Sequence, residues 1–154
     1  MYIGISVLFL GVTVVIMKFV FFPVNLKAAY RYYKEKKIPH AKKIILKLLE
    51  KMPGNPEVHF LHAKCFLREK NREMALVELR EVNKIGLFSE FFPEIEFREN
   101  FANLLYSMGH NEEALRQYVL LIRKKPDNPE YLFRAAKLFE QKKNLRKAVE
   151  LYNK

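Results

Sequence analysis

Small and large apolar residues recur along the chain at helical spacing. Four pairs of alanines are each separated by twelve residues, and the second alanine advances by 34, 39 and 34 residues from pair to pair. A large side chain follows three residues after each first alanine or four after each second one, on the same helical stripe. The pairs are Ala29 with Ala41, Ala63 with Ala75, Ala102 with Ala114, and Ala136 with Ala148. This period predicts stacked hairpins of two closely crossing helices, not one globular core.

Short polar segments separate the predicted helices. Segments 55–57 and 128–130 both have the sequence Asn-Pro-Glu, which supplies an N-cap, a proline for the first helical position and an acid for the first turn. Within the units, Asn71, Asn111 and Asn144 follow the first helix and can cap the second one. The segments therefore mark helix boundaries both within and between units.

With these residues in place, the chain resembles the tetratricopeptide repeat (TPR) family over residues 23–154. The small residues, the large ring after them, Gly109, and Pro53 and Pro126 after the second helices fall where that family's pattern puts them. The family's early tryptophan is absent throughout. Lysine stands where a glycine is usual at three positions, Lys36, Lys70 and Lys143. The resemblance implies an all-α solenoid of about four helical hairpins that binds proteins.

The repeat domain is expected at residues 24–154, with units at 24–54, 55–87, 94–127 and 128–154. The last unit is expected to be incomplete, because its second helix starts near Leu145 and no polar capping helix follows it. Val149, Leu151 and Tyr152 would then leave an apolar face open. Either the sequence is a fragment of a longer chain, or a partner or a second copy covers that end.

A longer connection at residues 86–93 contains three phenylalanines. Loops normally face water, so this composition is unusual for a connection. Either Phe88, Phe91 and Phe92 extend the second unit's helix and fold back on the stack, or they present an apolar knob to another protein. Packing is the favoured alternative, because exposed aromatic clusters are costly unless they are covered.

The segment before the repeats has the composition of a transmembrane anchor, assigned to residues 1–23. From Tyr2 to Phe22 it contains 21 residues with only Lys18 charged, which suffices to cross a hydrocarbon core of about 30 Å as a helix. A cleaved signal peptide would need a basic stretch before the apolar run and a small-residue cleavage site, and both are missing. A buried globular helix is the remaining alternative, although such helices are rarely apolar on every side.

Positive charge is concentrated directly after this segment. Residues 27–51 contain nine Lys or Arg against two Glu, a net charge of +7 out of the total of +11. The positive-inside rule therefore predicts a single-pass protein of the inner (plasma) membrane, with its N-terminus outside and its TPR part in the cytoplasm. A cluster beside a span suits anionic lipid headgroups better than nucleic acid, unless the lysines only set the topology. The candidate lipid contacts are Lys27, Arg31, Lys34, Lys36 and Lys37.

Few residues have the spacing of a catalytic or metal site. Cys65 is the only cysteine, which fits a reducing compartment. His59, His62 and Cys65 lie three apart on one predicted helix, but steps of three drift around a helix and no second cluster supplies ligands, so no metal is expected. The chain contains no glycine-rich phosphate loop and no Cys-x-x-Cys motif. We therefore expect neither enzymatic activity nor a cofactor.

The TPR resemblance implies a concave binding groove lined by the first helix of each unit. Aromatic rings interleaved with Lys and Arg would suit an extended or helical peptide carrying acidic and apolar side chains. Alternatively, several of these rings only pack between neighbouring units. The implied groove residues are Tyr30, Tyr33, Lys34, Phe60, Lys64, Leu67, Arg68, Glu99, Asn103, Tyr106, Ser107, Phe133, Lys137 and Glu140.

Together these features favour a membrane-anchored cytoplasmic TPR adaptor or scaffold that mediates protein–protein interaction in a larger membrane-associated complex. The expected partners are other proteins, anionic lipid headgroups and no nucleic acid. The main alternatives are a structural subunit of a motor, secretion or envelope assembly, and a regulatory fragment of a longer protein. A homo-oligomer that covers the C-terminal end is a further option.

Overall fold

The computed structural model describes residues 26–89 and 92–154, and this part of the chain consists of eight α-helices. The helices are α1 (Leu26–Lys34), α2 (Ile38–Lys51), α3 (Pro56–Arg68), α4 (Arg72–Ile85), α5 (Glu94–Ser107), α6 (Asn111–Lys124), α7 (Pro129–Gln141) and α8 (Leu145–Tyr152). The most extensive contacts join α1 to α2, α3 to α4, α5 to α6 and α7 to α8, and each hairpin also packs on the next one. The described residues form the all-α solenoid that the sequence predicts.

The repeated alanines lie where helices cross. All eight of them are buried, with no more than 2% of any one exposed. A methyl side chain lets two helix backbones approach closely, and larger side chains then fill the space on either side. One core cluster lies within the first hairpin and against α3, and a second runs from α3 to α7. The alanine pattern thus accounts for the stacking of the hairpins.

The first helix of every hairpin ends in the same backbone motif. The second residue after the helix has a left-handed conformation in all four, with φ of 61° at Lys36, 60° at Lys70, 78° at Gly109 and 59° at Lys143. The amide that follows donates to the carbonyl of the large residue five positions earlier, as from Asn71 to Phe66 at 2.9 Å. This is the Schellman motif, which glycine adopts without the steric penalty that a side chain carries. Three of the four units form it with lysine.

Asparagine caps four of the helices as the sequence predicts. The side chains of Asn55, Asn71, Asn128 and Asn144 accept hydrogen bonds from backbone amides in the first turn of α3, α4, α7 and α8. The prediction for Asn111 was wrong, because His110 holds the N-cap position of α6 and makes no side-chain cap. Asn111 is the first helical residue, and its amide nitrogen donates to Gln141 of α7 at 2.9 Å. It therefore joins two units.

The phenylalanine-rich connection folds back onto the core. Helix α4 ends at Ile85 and does not continue into the connection, because Gly86 has φ of 69° and closes the helix. Ser89 and Phe92 then form an isolated antiparallel bridge. Phe92 is 2% exposed and Phe88 is half-buried against the core, with their ring centroids 5.4 Å apart. Both rings pack rather than project as a knob, and Phe91 lies outside the described residues.

None of the helices between residues 26 and 154 that the structure describes is long and apolar enough to cross a membrane. The transmembrane anchor predicted at residues 1–23 lies outside the described part of the chain.

Candidate functional site

The first helices of the first three units enclose a groove on one side of the stack. Its volume is about 700 Å³. Five residues of the predicted groove line it, namely Tyr30, Tyr33, Lys34, Phe60 and Lys64. The remaining lining residues are Leu26, Lys27, Glu57, Phe92 and Glu96. We call this hollow between α1, α3 and α5 the N-terminal groove.

Aromatic rings form the floor of the N-terminal groove. Phe60 is 1% exposed, and its ring centroid lies 4.9 Å from that of Phe92 and 6.1 Å from that of Phe97. The half-buried rings of Tyr30 and Tyr33 belong to the wall on α1. Such a surface can take an aliphatic or aromatic side chain of a partner, because rings offer a large apolar area at little cost in conformational entropy.

Two cations of the predicted set, Lys64 in the N-terminal groove and Arg68 beside it, already have partners within the protein. Lys64 Nζ lies 2.7 Å from a carboxylate oxygen of Glu96, and it also lies 5.2 Å from the ring centroid of Phe60. The guanidinium of Arg68 lies 4.4 Å from the ring centroid of Tyr33. These contacts connect neighbouring units. Lys64 and Arg68 therefore hold the groove together instead of offering free charge to a ligand.

Two other lysines leave their ammonium groups free. Lys27 and Lys34 are exposed and form no ion pair with any residue that the structure describes. They lie seven residues apart on α1, or two helical turns, which corresponds to about 10 Å along the helix axis. The free positive charge of the N-terminal groove thus lies along its α1 rim.

One carboxylate and one phenol inside the groove lack partners among the described residues. Glu57, in the first turn of α3, makes no ion pair there, and burial raises the pKa of its carboxyl group. Burial also raises the pKa of Tyr30, and the nearby carboxylates of Glu57 and Glu96 raise it further. Buried polar groups normally find a hydrogen-bond partner. These two groups can therefore bind the backbone or a polar side chain of an incoming segment.

The predicted groove residues of the third and fourth units lie outside the N-terminal groove, on α5 and α7. Three of them, Glu99, Asn103 and Tyr106, contact side chains of neighbouring helices. Tyr131 donates a hydrogen bond to Glu99, and Tyr118 donates one to Asn103 at 2.7 Å. The guanidinium of Arg134 lies 5.1 Å from the ring centroid of Tyr106.

The last of these residues also have neighbours within the protein. The ammonium of Lys137 lies 5.2 Å from the ring centroid of Phe133, and the Tyr152 hydroxyl donates to Glu140 at 3.2 Å. Ser107 bonds to the backbone of its own helix, and Leu67 is half-buried against the core. The structure thus divides the predicted set into an open N-terminal part and a C-terminal part joined by its own contacts.

The predicted set missed two groove residues near the N-terminal ends of α3 and α5. Glu57 precedes Phe60 by three residues, and Glu96 precedes Glu99 by three, so each lies one helical turn before the first predicted residue of its helix. Extending each stripe by one turn towards the N-terminus would have found both. The two acids matter because they give a basic groove a mixed interior.

The candidate lipid-binding lysines spread along the first hairpin. Lys37 pairs with Glu35 at 2.9 Å, and Arg31 lies 4.0 Å from the same carboxylate. Lys36 has the left-handed conformation at the turn between α1 and α2. These residues surround the turn end of the hairpin, whereas Lys27 lies at its opposite end. They do not form one compact patch.

A buried ion cluster joins α3 to α4. One carboxylate oxygen of Glu78 lies 2.6 Å from His59 Nδ1, and the other lies 2.9 Å from His62 Nδ1. His59 Nε2 lies 2.7 Å from the Pro53 carbonyl oxygen. Burial raises the pKa of Glu78, but the two histidines outweigh it and lower the pKa overall. Burial also raises the pKa of the Cys65 thiol, to about 11. No group of three His, Cys, Asp or Glu residues in the described ranges could hold a metal ion.

The fold is similar to several solved structures. MamA of AMB-1 superposes with a TM-score of 0.69 at 16% sequence identity, over 83% of this chain and 67% of that protein. YrrB, described as a TPR protein with an unusual peptide-binding site, superposes with a TM-score of 0.62 at 22% identity, over 80% of this chain and 61% of that one. No protein-family model matches the chain, and neither does any curated protein. The likeness shows a TPR-type fold.

Proposed function

We propose that this protein is an interaction scaffold whose N-terminal groove binds a segment of another protein. The observation that carries the proposal is the groove itself, with a volume of about 700 Å³ over a buried aromatic floor. Free lysines on its rim and unpaired polar groups inside it supply the remaining recognition chemistry. Grooves of this kind bind extended or helical segments through a few anchoring side chains.

The chemistry of the groove defines the segment that fits it. An apolar side chain of the partner packs against the half-buried rings of Tyr30 and Tyr33 above the buried floor, and acidic side chains pair with Lys27 and Lys34. Those two lysines are about 10 Å apart along α1. Acidic residues about three positions apart match this distance in an extended partner, and about seven apart in a helical one. The partner segment is therefore acidic and apolar, with a defined acid spacing.

The solved structures give the proposal limited support. YrrB has a peptide-binding site by its own description, and it shares this fold at 22% identity. Since this chain covers 61% of YrrB, the relevant likeness is one of architecture. The choice of groove residues rests on this protein's own geometry.

The scaffold is further proposed to be anchored in the inner membrane by residues 1–23 and to work in a membrane-associated complex. The support is the apolar composition of residues 2–22 together with the net charge of +7 at residues 27–51. In this arrangement the N-terminal groove lies on the cytoplasmic side, close to the anchor. Protease added outside intact spheroplasts should then leave residues 26–154 uncut, and digestion there would overturn the cytoplasmic orientation.

Charge reversal on the groove rim tests the binding proposal. The double variant Lys27→Glu, Lys34→Glu keeps the aromatic floor and the Lys64–Glu96 pair but repels an acidic partner. The full chain, crosslinked in its native membranes, should lose the neighbouring proteins that the unmodified chain captures. The matched control is Lys84→Glu, Lys125→Glu, which makes the same change in charge at exposed positions away from the groove. An identical set of crosslinked proteins in both variants would exclude the α1 rim.

A further inference from the structure

Three lysines on the second helix of the first hairpin have no ion-pair partner among the described residues. Several cations pair with acids of neighbouring hairpins, as Arg80 does with Glu113 at 2.8 Å and Lys42 of the first hairpin does with Glu69 at 2.7 Å. In the first hairpin, Lys43, Lys47 and Lys51 form no ion pair with any described residue. Unpaired like charges on one helix repel one another. An anionic partner would remove that repulsion.

These three lysines form one row on the outer side of α2. They are spaced four residues apart, so they lie on the same stripe of the helix and all three are exposed. Leu46 lies beside the row and is 52% exposed. An apolar side chain among lysines is typical of a helix face that contacts a membrane surface, where the leucine enters the interface and the ammonium groups contact the headgroups. We call these four residues the lysine row.

The antiparallel hairpin brings the lower end of this row close to the proposed anchor. Residues 22 and 26 are joined by four Cα steps, so at most about 14 Å separates the end of the anchor from the start of α1. Helix α2 runs back along α1 and is five residues longer, so its C-terminal end with Lys51 extends past the first residue of α1, by about 7 Å at 1.5 Å per residue. The lysine row therefore starts at the membrane-proximal end of the repeat domain.

The same geometry moves other lysines away from the membrane. Helix α2 has 14 residues, and at 1.5 Å per residue it is about 21 Å long. Lys36 and Lys37 are at its far end, in the turn between α1 and α2. With α2 inclined so that its C-terminal end is the nearer one, Lys36 and Lys37 lie farther from the headgroups than Lys47 and Lys51, and electrostatic attraction decays over about 8 Å at physiological ionic strength. Lys47 and Lys51 are therefore better placed than Lys36 and Lys37 to contact the headgroups.

We propose that the lysine row, Lys43, Lys47 and Lys51 with Leu46, contacts the anionic headgroups of the membrane in which the protein is anchored. This inference rests on the proposed anchor and replaces the lipid contacts that the sequence suggested around the turn. A membrane surface fits the row better than nucleic acid or an acidic protein does, because it accepts the exposed leucine as well as the lysines. The contact would hold the first hairpin in a fixed orientation on the bilayer.

A polarity-sensitive fluorophore at position 46 tests the contact. The variant Leu46→Cys is labelled with a nitrobenzoxadiazole maleimide, and Val77→Cys on α4, where Val77 is 53% exposed, is the matched control. The native Cys65 is fully buried and its thiol pKa is raised to about 11, so it should remain unlabelled. The full chain is reconstituted into nanodiscs of phosphatidylcholine alone or mixed with phosphatidylglycerol. Emission at position 46 should shift to the blue only in the anionic nanodiscs, and emission at position 77 should be equal in both.

Charge reversal at the two ends of the hairpin distinguishes an effect of the lysine row from an effect of net charge. With the label at position 46, Lys47→Glu combined with Lys51→Glu should abolish the blue shift. The control, Lys36→Glu combined with Lys37→Glu, makes the same change in net charge and should retain most of it. Equal emission in both kinds of nanodisc would overturn the inference, and so would an equal loss in both double variants.

The anchor and the lysine row fail in different ways. If the chain co-elutes with both kinds of nanodisc but position 46 shows no response, the proposed anchor is supported and the proposed contact of the lysine row is overturned. If the chain co-elutes only with anionic nanodiscs, the proposed anchor is overturned. A blue shift at position 46 in those nanodiscs would still support the contact of the lysine row. Co-elution with neither kind overturns both. A response at position 46 to a DNA oligonucleotide or polyglutamate, with none to lipid, would assign the row to a soluble polyanion and overturn the membrane contact.

Discussion

The second and fourth hairpins place the same two side chains at the same repeat positions, with different outcomes. Phe60 and Phe133 each precede their alanine by three residues, but Phe60 is 1% exposed and Phe133 is 47% exposed. Lys64 and Lys137 each follow their alanine, but Lys64 pairs with Glu96 of α5, whereas Lys137 lies over the Phe133 ring. The difference comes from α5, which packs beside α3. Repeat position sets where a side chain points, and the neighbouring hairpin decides whether it becomes core or surface.

The same two hairpins also differ in the chemistry of their helix crossing. In the second, His59, His62 and Glu78 meet between α3 and α4. The equivalent positions of the fourth are Leu132, Ala135 and Leu151. The two ring nitrogens of His59 lie 2.6 Å from a Glu78 carboxylate oxygen and 2.7 Å from the Pro53 carbonyl oxygen. One crossing is therefore ionic and the other apolar.

The largest expected effect comes from truncating the two equivalent phenylalanines. Phe60→Ala should lower the free energy of unfolding by about 3–5 kcal/mol, because it removes a buried ring from the core and leaves a cavity. Phe133→Ala should cost less than about 1 kcal/mol, because nearly half of that ring is already in water. Urea denaturation of the full chain in detergent, followed by circular dichroism, measures both. Equal losses would mean that α5 does not bury Phe60 as described.

The ionic crossing gives the second prediction. Glu78→Leu alone should destabilise the protein by about 2 kcal/mol, because it leaves the buried rings of His59 and His62 without their carboxylate. The triple variant His59→Leu, His62→Ala, Glu78→Leu copies the three residues of the fourth hairpin. It should recover the free energy of unfolding that Glu78→Leu loses, since an apolar set often replaces a buried ion cluster without cost. A triple variant that is less stable than the single one would contradict the equivalence of the two crossings.

The same variants should differ in their dependence on pH. The pKa of Glu78 is lowered in the folded protein from its ordinary value of 4.5. A depressed carboxyl pKa contributes stability that is fully present above the unfolded value and is lost as the pH falls through the folded one. The unmodified protein should therefore lose stability relative to the triple variant as the pH drops below about 4.5. An unchanged difference between them across that range would show that Glu78 is not the titrating group.

The smallest effect should be the same in both hairpins. Lys70 and Lys143 have φ of 60° and 59°, a conformation in which a side chain is strained and glycine is not. Lys70→Gly and Lys143→Gly should each raise the free energy of unfolding by about 1 kcal/mol, since this strain is local and needs no neighbouring hairpin. Thermal unfolding of the two variants measures the gain. A gain in only one of them would show that packing, not backbone conformation, controls this position.

These comparisons show which parts of the structure were predictable from sequence. The alanine pairs, the Asn-Pro-Glu caps and the glycine-like turn positions follow from interactions within one hairpin, and the sequence predicted them. The prediction that Asn111 caps α6 failed because His110 holds the N-cap position, and the amide of Asn111, the first helical residue, bonds to Gln141 of the next hairpin. A local pattern cannot predict such a contact, since the partner comes from 30 residues later in the chain.

The candidate site follows the same division. Alignment on the alanines assigned Tyr30, Tyr33 and Phe60 to one surface, and the structure has all three in the lining of the N-terminal groove. It did not predict that Lys64 would be paired with an acid 32 residues away, or that Lys27 would remain free. Ion pairing depends on which side chains of adjacent hairpins come within reach. The shape of the groove was therefore predictable, while its free charge required the structure.

The central claim is that the N-terminal groove, and not the C-terminal part of the same surface, binds the partner. The most direct test replaces Tyr33 or Phe133 with the photocrosslinking residue p-benzoylphenylalanine, which keeps an aromatic ring at either position. On irradiation of the full chain in its native membranes, position 33 should form a crosslink to a discrete partner, and position 133 should form none or far less. Crosslinks of equal yield at both positions, or at position 133 alone, would contradict the account.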